Sequence, residues 1–257
     1  MNLSLLHTYD QYVYALVALV GTLAGVAFVQ WFIQCSRGSV WVSSFHGVVA
    51  PFINIIGVLF GLTLAFLAND TWSAHDRATD AVFREADALR SLIALSDTLP
   101  GPLREQTRST LRDYAQASSG EWSMLARRET NPDVPAVADR LLKLLASPEV
   151  TQTTAASVQS LMLDKVSEIR AQRGLRIGLS QTHVNPLKWL GMAFLGLVTL
   201  LSLAVVHIDR PRAAFGAMVL FALAAAPTAA IVLLQGNPFE HLAPVSAAPI
   251  FAAVKGL

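Results

Sequence analysis

Four blocks of this sequence contain no Asp, Glu, Lys or Arg: residues 12–33, 48–68, 189–206 and 213–234, each 18 to 22 residues long. About 20 residues at 1.5 Å each cross a hydrocarbon layer of roughly 30 Å. A helix in a soluble core is shorter and keeps one polar face. Backbone groups in lipid must be bonded internally, so such runs take the form of helices. Charged residues make up 14% of the 257-residue chain, against about 25% in an ordinary soluble domain. The expected fold is therefore an all-α integral membrane protein. It has four transmembrane helices and a helical soluble insert between the second and third.

The first block does not read as a removable leader, because residues 1–34 contain no Lys or Arg and a signal peptide needs a positive n-region. Residues 12–68 then form a first transmembrane helix pair, 69–188 the insert, 189–234 a second pair and 235–257 a C-terminal tail. The lone Cys35 has no partner for an intrachain disulfide and reads as a small residue at a membrane boundary. A net charge of +1 excludes a strongly basic nucleic-acid binder.

The insert holds fifteen basic and fifteen acidic residues. Its apolar residues recur at helical spacing, as in Val82, Ala86, Leu89 and Ile93, in Leu103, Thr107, Leu111 and Tyr114, and in Val158, Met162, Val166 and Ile169. Leu99-Pro100-Gly101-Pro102 separates the first two insert helices, and Asn131-Pro132-Asp133 is expected to end the second. Ser147-Pro148-Glu149 reads as an N-cap, an N1 proline and an acidic first turn. Neither Gly nor Pro occurs between Leu62 and Thr98. The second span can thus run on into the insert as one helix, those residues alone measuring roughly 55 Å. Glu149 to Arg173 also lacks both breakers, and a break is expected between Gly174 and Pro186 because proline has no N–H to donate.

Small residues mark packing faces. Gly21-xxx-Gly25 and Gly57-xxx-Gly61 allow close helix approach, either between the first two spans of one chain or between copies. Ionisable groups inside spans mark proton relays and coupled transport, and the four blocks have none, only polar residues such as Gln30, Asn54 and Thr63. A passive pathway fits better than a pump. The sequence has no phosphate-cradling loop with Lys-Ser/Thr, no His-Glu-x-x-His and no paired-cysteine zinc spacing. His7, His46, His75, His183, His207 and His241 are scattered. No catalytic residue, metal site, cofactor or enzyme activity is assigned.

The stretch Phe60-Gly-Leu-Thr-Leu-Ala-Phe66-Leu-Ala-Asn69-Asp70-Thr-Trp72, followed by Asp80 to Arg90, resembles the second helix of bacterial bestrophin channels. Nearly the full chain resembles the bestrophin-like family of bacterial membrane proteins. The matching pieces are Ala68-Asn69-Asp70-x-Trp72, Arg84-Glu85-Ala86-x-Ala88-Leu89, Tyr114, Glu121-Trp122, the Arg173 to Leu175 region, Trp189, Asn237-Pro238-Phe239 and Val245-Ser246. The resemblance implies a homo-oligomeric ion channel, a pentamer, with a neck of apolar rings on the second helix. With Phe66 in the last ring, the others fall on Leu62 and Val58, and Asn69 forms the first polar ring beyond them. Ala74-His75-Asp76 replaces the Arg-Trp-Trp cluster of bestrophins, and no acidic calcium clasp is present, so neither selectivity nor calcium gating carries over.

The partners implied are further copies of the chain, the lipid bilayer and permeant inorganic ions, in a bacterial inner membrane. Orientation has two readings. Arg37, Arg210 and Arg212 in short loops place the insert outside by the positive-inside rule, whereas the resemblance places it in the cytoplasm, the reading preferred here. Spacing alone also allows Val58, Leu62 and Phe66 to face lipid or a neighbouring helix. The functional alternatives are a passive channel with the second span at its axis, and a non-conducting scaffold or sensor whose insert binds a partner.

Overall fold

The computed structural model describes residues 3–34, 46–181, 186–234, 236–240 and 244–257. Cys35, Arg37 and His183 lie outside them. Every regular element among the described residues is a helix: α1 (Leu3–Gln34), α2 (His46–Ser96), α3 (Gly101–Gly120), α4 (Trp122–Ala126), α5 (Asp133–Leu145), α6 (Pro148–Thr153), α7 (Ala156–Gln181), α8 (Pro186–Val206), α9 (Pro211–Leu234) and α10 (Ala248–Val254). Three helices are long and apolar enough to cross a membrane, with candidate spans Pro51–Ser96, Leu187–Val206 and Pro211–Val232. In α1 the apolar stretch among described residues is the shorter Ala18–Gln34.

The absence of Gly and Pro after Leu62 has its expected consequence, since α2 runs 51 residues without interruption. Its C-terminal half buries Ala78, Val82, Glu85, Leu89 and Leu92, alternating steps of four and three that keep one helical face inward. Pro102 stands in the first turn of α3, where its missing N–H costs nothing. The Ser147 hydroxyl caps α6 by accepting from the Val150 N–H at 3.5 Å. Hydrogen bonding from its own backbone amide, then from Ser147, holds the exposed Glu149 carboxyl below its ordinary range, as suits an anion at a helix start.

Two expected helix boundaries move. The second insert helix ends at Gly120 rather than at Asn131-Pro132-Asp133. A separate short turn, α4, follows and closes with Arg128 at φ 62°. The Arg128 N–H donates to Leu125 O at 3.0 Å and the Glu129 N–H to Met124 O at 2.9 Å, a Schellman closure with arginine where glycine is usual. The stretch after Glu149 is also divided, because Thr154 is extended. Thr151 and Thr153 donate their hydroxyls to the carbonyls of Ser147 and Glu149, as Thr63, Thr71 and Thr79 do within the unbroken α2. α7 ends at Gln181 and α8 begins at Pro186. A break is expected between Gly174 and Pro186; residues 174–181 remain helical in α7, and residues 182–185 lie outside the described residues.

The chain divides into two units, Met1–Trp72 with His183–Gly236, and Ser73–Thr182 with Asn237–Leu257. In the first, α1 packs against α8 and α9, burying Val26, Val29, Leu200, Ala204, Met218 and Ala222. A second cluster joins Leu64, Leu67 and Ala68 of α2 to Met192, Ala229 and Val232. The second unit has one larger core, running from Val82 and Leu89 through Leu111, Leu141 and Met162 to Phe239 and Ile250. The C-terminal segment therefore belongs to the core of the insert.

Candidate functional site

The residues expected to form the neck lie along one face of α2. Val58, Leu62 and Phe66 are 60%, 50% and 67% exposed in the single chain. They advance by four residues, about 6 Å per step, and exposed Asn69 continues the face. The opposite face carries the buried Leu64, Leu67 and Ala68. The packing glycines are separated. A Cβ on Gly25 would meet Leu200 Cδ1 of α8 at 3.4 Å, whereas one on Gly21, Gly57 or Gly61 would meet nothing within 4 Å. Among the described residues no group of three or more His, Cys, Asp or Glu side chains could hold a metal ion.

A second constellation lies wholly inside the other unit. Glu85, Glu121 and Arg176 are all 0% exposed. The Arg176 guanidinium forks onto Glu85, with Nε donating to Oε2 at 2.7 Å and Nη2 to Oε1 at 3.1 Å. Nη2 also donates to the Ser118 hydroxyl at 2.9 Å. Arg173 makes a second fork on Glu121, at 3.1 and 2.6 Å. Glu85 Oε1 further accepts from the hydroxyls of Tyr114, at 2.8 Å, and Ser118, at 3.0 Å. The two carboxylates and two guanidiniums cancel, which is what lets charges persist in a place without water.

One wall of this cluster is aromatic. Arg176 Cζ lies 4.4 Å from the centre of the Trp122 ring, a cation–π contact in a desolvated setting. The Trp122 N–H donates to Val245 O at 2.6 Å, and Phe239 packs edge-on against the ring. The Asn237 side chain donates to Leu125 O and Ala126 O, at 3.0 and 3.2 Å. The Schellman turn after α4 brings back the Asn131 N–H, which donates to Glu121 Oε1 at 2.9 Å. Residues from Glu85 to Val245 thus converge on one ion network that pins α2, α3, α4, α7 and the C-terminal segment in register.

Sequence reasoning picked out Glu85, Tyr114, Glu121, Trp122 and Arg173 separately, and missed Arg176 and Ser118. The signal was present. Leu111, Tyr114, Ser118 and Glu121 continue one spacing, as do Met162, Val166, Ile169, Arg173 and Arg176. Charges standing on an apolar stripe must find partners when the stripe is buried.

Burial, and next the negative charge of Glu85, push the Tyr114 hydroxyl well above its ordinary value of 10.0. The proton is held more tightly in the folded than in the unfolded chain. The associated stability is complete below pH about 10 and is lost as pH rises toward the folded value. We expect Tyr114→Phe to have a flatter decline of thermal stability than the parent above pH about 10. Parallel declines would show that this hydroxyl does not set alkaline stability.

No curated protein matches the sequence. Solved structures match in fold. A variant of a bacterial bestrophin homologue from Klebsiella pneumoniae is 14% identical, with a TM-score of 0.65 over 95% of this chain and 96% of that chain. Another variant of that homologue is 16% identical, with a TM-score of 0.61 over 96% and 97%. A structure described only as a membrane protein is 14% identical, with a TM-score of 0.65 over 96% of each chain. The bestrophin-like domain matches residues 20–250, from within α1 to within α10. Since that match takes in the exposed apolar face of α2 and every member of the ion network, the chain is a membrane protein belonging to the bestrophin-like family.

Proposed function

We propose that this chain is one subunit of a passive, homo-oligomeric ion channel, five copies around an axis with α2 innermost. The observation that carries the reading is the exposed stripe Val58, Leu62 and Phe66 leading to Asn69. Large apolar side chains repeating every turn, without a charge, form stacked apolar rings when several copies of the helix surround an axis. Such a constriction resists hydrated ions and gates by dewetting. Gly57 and Gly61, with open space where a Cβ would stand, leave α2 room for close approach by a neighbouring copy. In this reading the apolar part of α2 spans the membrane together with α1, α8 and α9. The protein sits in a bacterial inner membrane, with the insert in the cytoplasm.

Asn69 would be the first polar group met beyond the neck, so its charge tests the path. Asn69→Asp should shift the reversal potential of reconstituted protein under a salt gradient toward cation preference, and Asn69→Arg toward anion preference. Rings of fixed charge select ions of opposite sign. If both variants assemble and neither shifts the potential, ions do not pass Asn69. A scaffold or sensor role for the insert then becomes the better reading.

A further inference from the structure

The unit containing α1, α8 and α9 holds a concave pocket of about 390 Å³, lined among others by Gly21, Thr22, Phe60, Trp189, Met192 and Phe221. Small residues create it, since Gly21 has open space where a Cβ would stand. Its volume falls within the roughly 300–1,000 Å³ of small-molecule sites. Nearly all of its lining is apolar. The Thr22 hydroxyl is engaged, donating to Ala18 O at 2.7 Å. The Trp189 Nε1–H is buried and has no acceptor among the described residues. An unmet buried donor is costly, because its lost hydrogen bonds to water are not replaced. A trapped water is a poor remedy, because an ordered buried water needs about two to four polar partners.

Position narrows the occupant. Trp189 stands in the first turn of α8, beside the exposed ion pair of Lys188 and Asp70. Charged pairs and tryptophan belong at the headgroup level of a bilayer. Leu200, which also lines the pocket, lies eleven residues further along α8, about 16 Å deeper. The pocket therefore starts at the interface with a hydrogen-bond donor and continues inward as an apolar channel. A neighbouring helix fits this poorly, because its backbone carbonyls are already bonded within the helix. We infer that the pocket holds one acyl chain of a bilayer phospholipid, with the ester carbonyl accepting from Trp189 Nε1. The inference needs the unit to span a bilayer, and it stands whether or not α2 lines a pore.

The test is native mass spectrometry on the full-length protein, stripped of lipid in detergent and titrated with dioleoylphosphatidylglycerol. Oleic acid serves as the comparison ligand. The parent should retain one phospholipid per subunit. Gly21→Leu, which fills the pocket, should lose it, and Trp189→Phe, which keeps an aromatic side chain but deletes the donor, should weaken binding about 5- to 20-fold, the loss of one hydrogen bond. Thermal stability in detergent without lipid checks that each variant is folded, and Trp189→Phe decides the matter if Gly21→Leu is not. No retained phospholipid on the parent, equal retention by parent and Trp189→Phe, or retention of oleic acid alone would each overturn the assignment.

Discussion

Arg176→Met should cost the folded protein about 3–5 kcal/mol, the usual penalty for removing one partner of a buried ion pair. Arg176 answers both Glu85 oxygens and lies within 3.9 Å of Glu121 Oε2. Without it Glu85 retains only two hydroxyl donors, in a place where neither carboxylate is exposed. The loss should appear as a large drop in the temperature at which the folded peak disappears from size-exclusion profiles in detergent. Glu85→Leu combined with Arg176→Met should recover much of it, because no unpaired charge then remains. For comparison, breaking the exposed Arg90–Asp87 pair should cost about 0–1 kcal/mol. If Arg176→Met costs no more than that, the network does not hold the insert in register.

Replacing Val58, Leu62 and Phe66 together by Ala should raise ion flux through protein reconstituted in liposomes several-fold. Shorter side chains widen the constriction and lower its dewetting barrier. All three are exposed in the single chain, so the substitution removes little of its core. Leu16, exposed on α1, is the control, and Leu16→Ala should leave flux near the parent value. Triple-Ala protein that assembles normally with unchanged flux would show that α2 does not form the gate.

The helical class was legible because it rests on local rules. Uncharged runs of membrane length, a breaker-free stretch after Leu62 and the Ser147-Pro148-Glu149 start signal each act within a few turns. The misplaced boundaries show where local rules compete. Gly120 and the Schellman turn at Arg128 end a helix before the more conspicuous Asn131-Pro132-Asp133, and the chain turns extended at Thr154 with neither Gly nor Pro nearby to mark it. The ion network was legible only as isolated letters. Glu85 and Arg176 are 91 residues apart, and Trp122 meets Val245 across 123. Periodicity says that a stripe is buried, but it does not say which stripe faces it. The exposed face of α2 has the same limit, since its apolar spacing suits lipid, a neighbouring helix or a pore equally well.

That ambiguity is resolved by seeing what surrounds α2 in the assembled protein. A density map of full-length protein in lipid nanodiscs tests the central claim most directly. Five copies are expected around an axis, with α2 innermost, Val58, Leu62 and Phe66 facing the axis as three stacked rings, and Asn69 beyond them. A map in which that face of α2 lies against lipid, or in which no continuous path runs along the axis, would contradict it.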